Sequence, residues 1–272
     1  MIKFLHQPSG LIGTLIVLVL LLLFAFGPAI APYSEAKQDI ANRLHDPSPQ
    51  HLFGTDQLGR DLLSRLVIGT RVALGVALPS VLIALLVGLA LGLLAGYLGG
   101  GVDAAVLLIA NTMQSFPSIM LALTILALIG PSTASVIGVV ALGLATGYAL
   151  VVRSQVLVMR NITYVEVSRA LGAGTVYTLL RHVLPNIITP LIVLLAMDIP
   201  SAMTTEAGLS FLGLGVRPPT PSWGVILADG FGKIRQSPWA VVFASLMLMI
   251  ATLGFTLFGE ALRRRWDPLR RE

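Results

Sequence analysis

Long runs without charged residues dominate the chain and predict six membrane-spanning helices. Lys, Arg, Asp and Glu are absent from 4–34, 72–102, 104–152, 182–197 and 236–259. About 20 mostly apolar residues cross a bilayer, so 104–152 is too long for one crossing, and Gly130-Pro131-Ser132 divides it. We predict helices over 11–31, 73–97, 104–129, 134–157, 184–204 and 239–261.

The first run can also be interpreted as a cleaved signal peptide. Lys3 precedes it, and Ala29-Ile30-Ala31 is similar to a signal peptidase site. The apolar core is longer than the hydrophobic region of a typical signal peptide. We therefore expect a helix that is retained in the mature protein.

Composition agrees with an integral membrane protein. Hydrophobic residues make up 56% and charged residues 11% of the chain, whereas soluble domains carry about 25% charged residues. The net charge of +5 comes largely from basic residues at the ends of apolar runs, where they orient helices in a bilayer instead of indicating nucleic acid binding. The chain has no cysteine, which excludes disulfides and thiolate chemistry.

A basic cluster after the last predicted helix indicates the orientation. Six crossings place both termini on one side of the membrane. Arg263, Arg264, Arg265, Arg270 and Arg271 follow the last helix closely, as is typical of a cytoplasmic segment. We therefore expect cytoplasmic N- and C-termini.

Four glycines recur at every fourth position in the second predicted helix: Gly88, Gly92, Gly96 and Gly100. This spacing produces a groove in which a second helix can approach closely. We favour packing within the chain, with a subunit interface as the alternative.

The polar segment 153–183 predicts a short surface helix between two membrane helices. Thr163 and Glu166 have the spacing of a capping box, and Gly172 or Gly174 is suited to end the helix. Thr175 is then expected to cap the next helix. Exposed side chains of the short helix, Tyr164, Val165 and Leu171, would suit docking into a protein groove, although a helix resting on lipid headgroups fits the same pattern.

This segment resembles the Glu-Ala-Ala signature of ABC importer permeases. The matching positions are Glu166, Gly172, Leu184 and Pro185, whereas Val167, Ser168 and His182 depart from the pattern. The resemblance implies a coupling helix at about 163–173 that fits a cleft in an ATPase subunit. Its implied coupling residues are Tyr164, Glu166, Ser168, Arg169, Ala170, Leu171, Gly172 and Ala173.

A second motif precedes the second helix and is similar to one found in peptide, opine and nickel permeases. Its residues are Gly54, Thr55, Asp56, Gly59, Arg60, Asp61 and Arg65. The two glycines permit turns, and Asp61 has the spacing to pair with Arg65 on one helical face. A metal site formed by His45, His51, Asp56 and Asp61 is not expected, because their spacing matches no recognised metal motif.

The Gly- and Pro-rich stretch 207–224 is similar to the region after the fifth span of the same permeases. With the other two motifs, it identifies the chain as a member of the dipeptide, oligopeptide and nickel permease family, C-type. The implied fold is all-α, a type I ABC importer permease with six transmembrane helices. We expect a first helix and outer loop at 1–71, a permease core at 72–262 and a basic cytoplasmic tail at 263–272.

The resemblance implies a bacterial inner-membrane permease that is not itself an enzyme. The chain lacks a Gly-x-x-x-x-Gly-Lys-Ser/Thr loop, so ATP and Mg²⁺ would bind to partner subunits. The implied partners are a B-type permease, two D/F-type ATPases, an extracytoplasmic solute-binding protein and membrane lipid. The implied solute is a di- or oligopeptide, with nickel chelates or opines as alternatives.

Asp198 and Pro200 are the candidates for the translocation pathway. An acid at membrane depth faces a cavity or a partner, although hydration at the outer interface is the alternative for Asp198. We expect Glu206 at the outer surface and His182 at the membrane boundary. The tryptophans are expected as interface anchors: Trp223, Trp239 and Trp266.

Two other classes of function remain at this point. An intramembrane hydrolase would use Gly208-Leu209-Ser210 as a nucleophile motif with His182 as its base. The predicted topology places these residues on opposite sides of the membrane, which disfavours that function. A proton-coupled carrier would have only Asp198 as its buried carboxylate, which is thin support.

Overall fold

The computed structural model describes residues 8–217 and 219–266, and most of this part of the chain is helical. Ten α-helices follow in order: α1 Pro8–Ile30, α2 Leu62–Leu98, α3 Gly100–Gln114, α4 Ser118–Ile129, α5 Thr133–Met159, α6 Thr163–Ala170, α7 Thr175–Thr178, α8 Leu184–Phe211, α9 Trp223–Phe231 and α10 Trp239–Trp266. A π-helical turn, Leu179–Val183, joins α7 to α8. Lys3, Arg270 and Arg271 lie outside the described residues.

Five of the six predicted crossings are present as single helical segments, and the third is a bent pair of helices. Five helical segments are each long and apolar enough to span a bilayer, and α3 with α4 forms a sixth, bent by 92°. The expectation of one helix over 104–129 is therefore wrong. Pro117 explains the break, because proline lacks an N–H donor and disfavours helical geometry at the preceding residue.

The second helix begins at Leu62 instead of 73, because Asp61 caps it. The Asp61 carboxylate accepts a hydrogen bond from the Ser64 backbone N–H at 2.8 Å, which satisfies a free donor of the first turn. Arg65 and Arg71 thus lie within α2. Helix α8 likewise continues to Phe211, beyond the expected end at 204.

Helices α2 and α5 pack against each other in parallel along the glycine groove. A Cβ at Gly88 would lie 2.7 Å from the Ala145 oxygen, and one at Gly92 would lie 2.6 Å from the Ala149 oxygen. Gly96 has the same relation to Val156, whereas nothing lies within 4 Å of a Cβ at Gly100. Packing within the chain is confirmed for the first three glycines, and the prediction is wrong for Gly100.

The segments between the crossings gather at two opposite ends of the bundle. At one end, called here the 31–61 end, the Trp223 indole of α9 donates to the Leu66 carbonyl of α2 at 3.0 Å. At the other, called the 160–183 end, the Arg160 guanidinium donates to the Gly96 carbonyl at 2.9 Å. The motif preceding α2 and the short helix α6 therefore lie at opposite ends of the bundle.

Candidate functional site

The short surface helix is present as α6, but its start differs from the prediction. Ile162 is the N-cap, and no side chain caps the helix. The predicted capping box is therefore wrong, because Thr163 lies one residue inside the helix. The Glu166 N–H instead bonds to the Ile162 carbonyl at 3.1 Å.

Gly172 ends α6, as the sequence predicts. Its φ is +88°, a left-handed conformation that glycine adopts without steric cost. The Ala173 N–H bonds to the Ser168 carbonyl at 3.1 Å, and the Gly172 N–H bonds to the Arg169 carbonyl at 2.9 Å. These two bonds form a Schellman motif. The next helix begins with Gly174 as its N-cap and without a side-chain bond, so the prediction that Thr175 caps it is wrong.

One face of α6 is held against the membrane helices. Val165 is fully buried, which contradicts its expected exposure. The Arg169 guanidinium lies over the Tyr97 ring of α2, 5.7 Å from its centroid. Ser168 Oγ lies 3.2 Å from His182 Nε2. Between this face and the exposed one, Asn186 of α8 donates to the Tyr164 hydroxyl at 3.2 Å. Helix α6 thus contacts three separate parts of the bundle.

The opposite face of α6 and the turn after it are apolar and exposed. Leu171 is 83% exposed and Val176 is 68% exposed. Three further side chains complete this surface, which we call the α6 patch: Tyr164, Val167 and Tyr177. An apolar patch on the outside of a folded chain is typical of a docking site for another protein.

Two glycines shape the motif at the 31–61 end. Gly54 and Gly59 have φ values of +77° and +71°, which confirms the predicted turns. A Cβ at Gly54 would lie 2.5 Å from the His45 oxygen, and one at Gly59 would overlap the Asp39 carbonyl. The Thr55 hydroxyl closes the same loop, accepting from the His45 N–H at 2.8 Å.

Four buried or half-buried charges join this motif to α9. The Asp56 carboxylate accepts from Arg60 Nε at 2.6 Å and lies 3.4 Å from Arg65 Nε. Both guanidiniums also approach Asp229 of α9, at 3.3 and 3.8 Å. Burial raises the pKa of Asp229, whereas the neighbouring Arg65 and Arg60 oppose this shift. We call these four residues the arginine–aspartate cluster.

Asp61 does not pair with Arg65, so that prediction is wrong. Its carboxylate accepts from the Ser64 hydroxyl at 2.7 Å and lies 2.9 Å from the His51 Nδ1. Arg65 points instead to Asp56 and Asp229, because a helix cap occupies the Asp61 carboxylate. Within 8–217 and 219–266, no three His, Asp or Glu side chains are grouped as metal ligands would be.

Asp198 and Pro200 lie in α8, where Asp198 is half-buried and Pro200 is buried. Asp198 interacts electrostatically with the Tyr148 hydroxyl of α5, although that hydroxyl makes no hydrogen bond of good geometry. Glu206 is fully buried, contrary to its expected surface position, and its Oε1 accepts from the Ser210 hydroxyl at 2.6 Å.

The structure does not support a hydrolytic site formed by Ser210 and His182. They lie near opposite ends of α8, which has 28 residues and so extends about 42 Å at about 1.5 Å per residue. Ser210 donates to Glu206, and His182 contacts Ser168. No hydrogen bond can join a nucleophile and a base at this distance.

The tryptophans divide between two roles. Trp223 is fully buried against α2, so its assignment as an interface anchor is wrong. The Trp239 indole donates to Asp46 at 2.7 Å at the 31–61 end, a position suited to an anchor. The side chain of Trp266 lies outside the described part of the chain.

Sequence reasoning missed several residues that the structure brings to these sites. Asp229 completes the arginine–aspartate cluster from 164 or more positions away, and Tyr97 supports α6 from α2. Neither has a local sequence signal. The polar run at Asn111–Ser115 did carry one, because amide and hydroxyl residues are unusual inside a membrane span.

Two family models match the chain. The "Binding-protein-dependent transport system inner membrane component" model matches residues 88–268. A model described as the N-terminal TM domain of oligopeptide transport permease C matches residues 1–47.

Similar proteins include permeases of glutathione transport systems. The chain is 38% identical over 267 residues to the glutathione transport system permease protein GsiD of Shigella flexneri serotype 5b (strain 8401), covering 98% of this chain and 88% of that protein. It is 37% identical, with the same coverage, to GsiD of Escherichia coli O157:H7.

A solved structure has the same fold. A chain of the inward-facing MetNI methionine ABC transporter superposes with a TM-score of 0.58 and 21% identity. The match covers 75% of this chain and 95% of that chain. At this identity the likeness shows a shared type I importer architecture.

Proposed function

Because this chain belongs to the family of binding-protein-dependent transport system inner membrane components and is an ABC importer permease, we propose that it imports di- or oligopeptides. It is a multi-pass protein of the bacterial inner membrane. The observation that carries the proposal is the 38% identity across 98% of the chain to a glutathione transport permease. Glutathione is a small peptide, so short peptides are the proposed cargo.

Uptake by the assembled transporter tests this cargo. The chain, its partner permease, two ATPases and the solute-binding protein are reconstituted in vesicles with ATP. We expect accumulation of glutathione or a labelled dipeptide, and no accumulation when this chain is omitted. Uptake of a nickel chelate or an opine, without peptide uptake, would overturn the proposed cargo.

The proposed assembly contains a B-type permease, two D/F-type ATPases, a solute-binding protein and surrounding lipid. ATP and Mg²⁺ would bind to the ATPases, since this sequence has no phosphate-binding Gly-x-x-x-x-Gly-Lys-Ser/Thr loop. In this assembly the chain is not an enzyme. It forms a translocation pathway with the second permease.

The α6 patch is the proposed contact with an ATPase. Exposed Leu171 and Val167 offer apolar surface for a cleft, and the Schellman motif at Gly172 gives α6 a defined end. Val165 and Arg169 hold the helix to the bundle from the other side. Movement of an ATPase would therefore move α2 and α8 together with α6, as in a rigid-body transition between two states.

This contact requires the 160–183 end to be cytoplasmic. The exposed arginines Arg263, Arg264 and Arg265 support that orientation. They lie at the same end as α6, because α10 packs antiparallel to α1, with Gly254 beside Ile16 and Gly13 beside Phe258. Both termini are then cytoplasmic, and the 31–61 end faces the solute-binding protein.

Replacing Leu171 with aspartate is expected to uncouple the transporter without unfolding it. The side chain is 83% exposed, so the charge is tolerated in the isolated chain but not in an apolar cleft. Loss of an interface hot spot costs about 2 kcal/mol, or about thirtyfold in affinity. We expect peptide uptake and ATPase co-purification both to fall about thirtyfold. The variant itself should reach the membrane in normal amounts.

Ile40→Asp is the matched control, since Ile40 is 54% exposed at the opposite end and should leave ATPase binding unchanged. Leu171→Cys checks the orientation, because the natural chain has no cysteine. A membrane-impermeant maleimide should label it only from the cytoplasmic side. Labelling from outside, or normal ATPase binding by Leu171→Asp, would contradict the assignment.

A further inference from the structure

The break between α3 and α4 exposes polar side chains in the middle of the third predicted crossing. Asn111, Thr112, Gln114 and Ser115 are all exposed. Helix α3 has 15 residues, so it rises about 22 Å from the 160–183 end at about 1.5 Å per residue. The hydrocarbon core of a bilayer is about 30 Å thick. The break therefore lies within the membrane, short of the opposite surface.

Two amide side chains at this break have no partner within the described residues. Ser115 Oγ bonds to the Asn111 carbonyl at 2.8 Å, but the side-chain amides of Asn111 and Gln114 make no hydrogen bond there. An amide that faces hydrocarbon without a hydrogen bond is unfavourable, because its transfer from water to an alkane costs about 4–8 kcal/mol. Irregular backbone at membrane depth is tolerated where it lines a water-filled cavity or contacts protein.

A second polar surface lies on α8 next to the start of α4. Asp198, Ser201, Thr205 and Gly208 are spaced by three or four residues and so share one helical face. A Cβ at Gly208 would lie 3.4 Å from Ile119 Cδ1, on the first turn of α4. The α8 stripe, defined by these four residues, therefore adjoins the break. Of the four, Ser201 is exposed, and Asp198 and Thr205 are half-buried.

The two polar surfaces together have the chemistry of a peptide-binding wall. Asn111 and Gln114 each offer a donor and an acceptor, as a peptide group requires. Asp198 has no ion-pair partner within the described residues, so it can pair with the α-ammonium of a peptide. We propose that the α3–α4 break and the α8 stripe form the wall of the translocation pathway that contacts the peptide.

The distribution of exposed residues favours a hydrated peptide over lipid or a second permease at this wall. The other end of α4 exposes Leu128 and Ile129, which are 82% and 62% exposed. Those apolar side chains suit lipid or helix packing, whereas the break concentrates amides and hydroxyls. The choice of peptide as occupant rests on the proposed function.

Single cysteines test this wall in the reconstituted transporter, since the natural chain contains none. We expect a charged methanethiosulfonate reagent to modify Gln114→Cys and Ser201→Cys. Leu128→Cys is the control, because Leu128 is 82% exposed at the apolar end of α4 and should not react. A dipeptide with its binding protein and ATP should slow modification of Gln114→Cys at least about threefold.

The possible outcomes test the wall and the peptide cargo separately. If Gln114→Cys is as unreactive as Leu128→Cys, the wall is covered by lipid or protein and the inference is overturned. If Gln114→Cys reacts and is protected by a nickel chelate but not by a dipeptide, the wall stands and the peptide cargo is wrong. If it reacts and no transported solute protects it, the proposed contact is overturned.

The pairing of Asp198 with the peptide ammonium is tested in the same preparation. Asp198→Asn should lower dipeptide uptake about tenfold, at normal abundance, with unchanged dipeptide binding by the solute-binding protein. It should also remove the dipeptide protection of Gln114→Cys, which a purely structural role would leave intact. Normal uptake and intact protection would overturn the ammonium contact.

Discussion

Gly92→Ala is expected to destabilise the permease, although alanine is the better helix former. A Cβ at this position would lie 2.6 Å from both the Ala149 oxygen and the Val152 Cβ. The added methyl group must push α5 away from α2 along their shared contact. Overpacking of this kind costs about 1–3 kcal/mol, and backbone atoms cannot move aside as a flexible side chain can.

Gly143→Ala is the control for this substitution. Gly143 lies within α5, and nothing lies within 4 Å of a Cβ there, so alanine should gain up to about 1 kcal/mol of helix propensity. Membrane abundance and thermal unfolding in detergent measure both variants. The two substitutions should shift the unfolding temperature in opposite directions. Equal shifts would show that the α2–α5 contact does not depend on its glycines.

Asp56→Asn is expected to have the largest effect at the 31–61 end. The Asp56 and Arg65 side chains are only 4% and 2% exposed, and Asp56 Oδ1 also accepts from two backbone N–H groups, those of Leu58 and Arg60. Asparagine keeps the shape but removes the charge opposite two arginines. Removing one partner of a buried ion pair costs about 3–5 kcal/mol, and the turn at 54–59 should lose its attachment to α2.

Glu260→Gln is the matched control, since its partners Arg263 and Arg264 are 64% and 44% exposed. Exposed pairs contribute about 0–1 kcal/mol, so this variant should unfold like the natural protein. Protease sensitivity of 31–61 measures release of this loop in Asp56→Asn. A resistant loop and an unchanged unfolding temperature would show that Asp56 does not hold this loop to α2.

Local patterns were enough to predict most of the apolar helices and the end of the surface helix. Charge-free runs locate membrane helices because desolvating a charge costs more than a single helix can recover. Gly130-Pro131-Ser132 divides two helices, and Ser132 caps α5 by accepting from the Ser135 N–H at 3.0 Å. Gly172 ends α6 because the required φ is cheap only for glycine. Each of these features depends only on residues that lie close together in the sequence.

Patterns of this kind could not decide which polar groups meet. Asp61 and Arg65 have the spacing of an ion pair, yet Asp61 caps α2 and Arg65 reaches Asp229, 164 residues away. Glu206 and Trp223 were expected at a surface because of their residue types, and both are fully buried. Such choices depend on which partner lies within about 3 Å once the helices have packed.

The sequence by itself thus located the apolar stretches that can cross a membrane, since hydrophobic burial follows from composition along short stretches. It also determined the family, through motifs whose residue order survives without a structure. Only the tertiary structure decided that the third crossing is bent by 92° and that its polar bend adjoins α8. That neighbour relation depends on contacts between residues about 90 positions apart, such as Ile119 and Gly208, which no local pattern encodes.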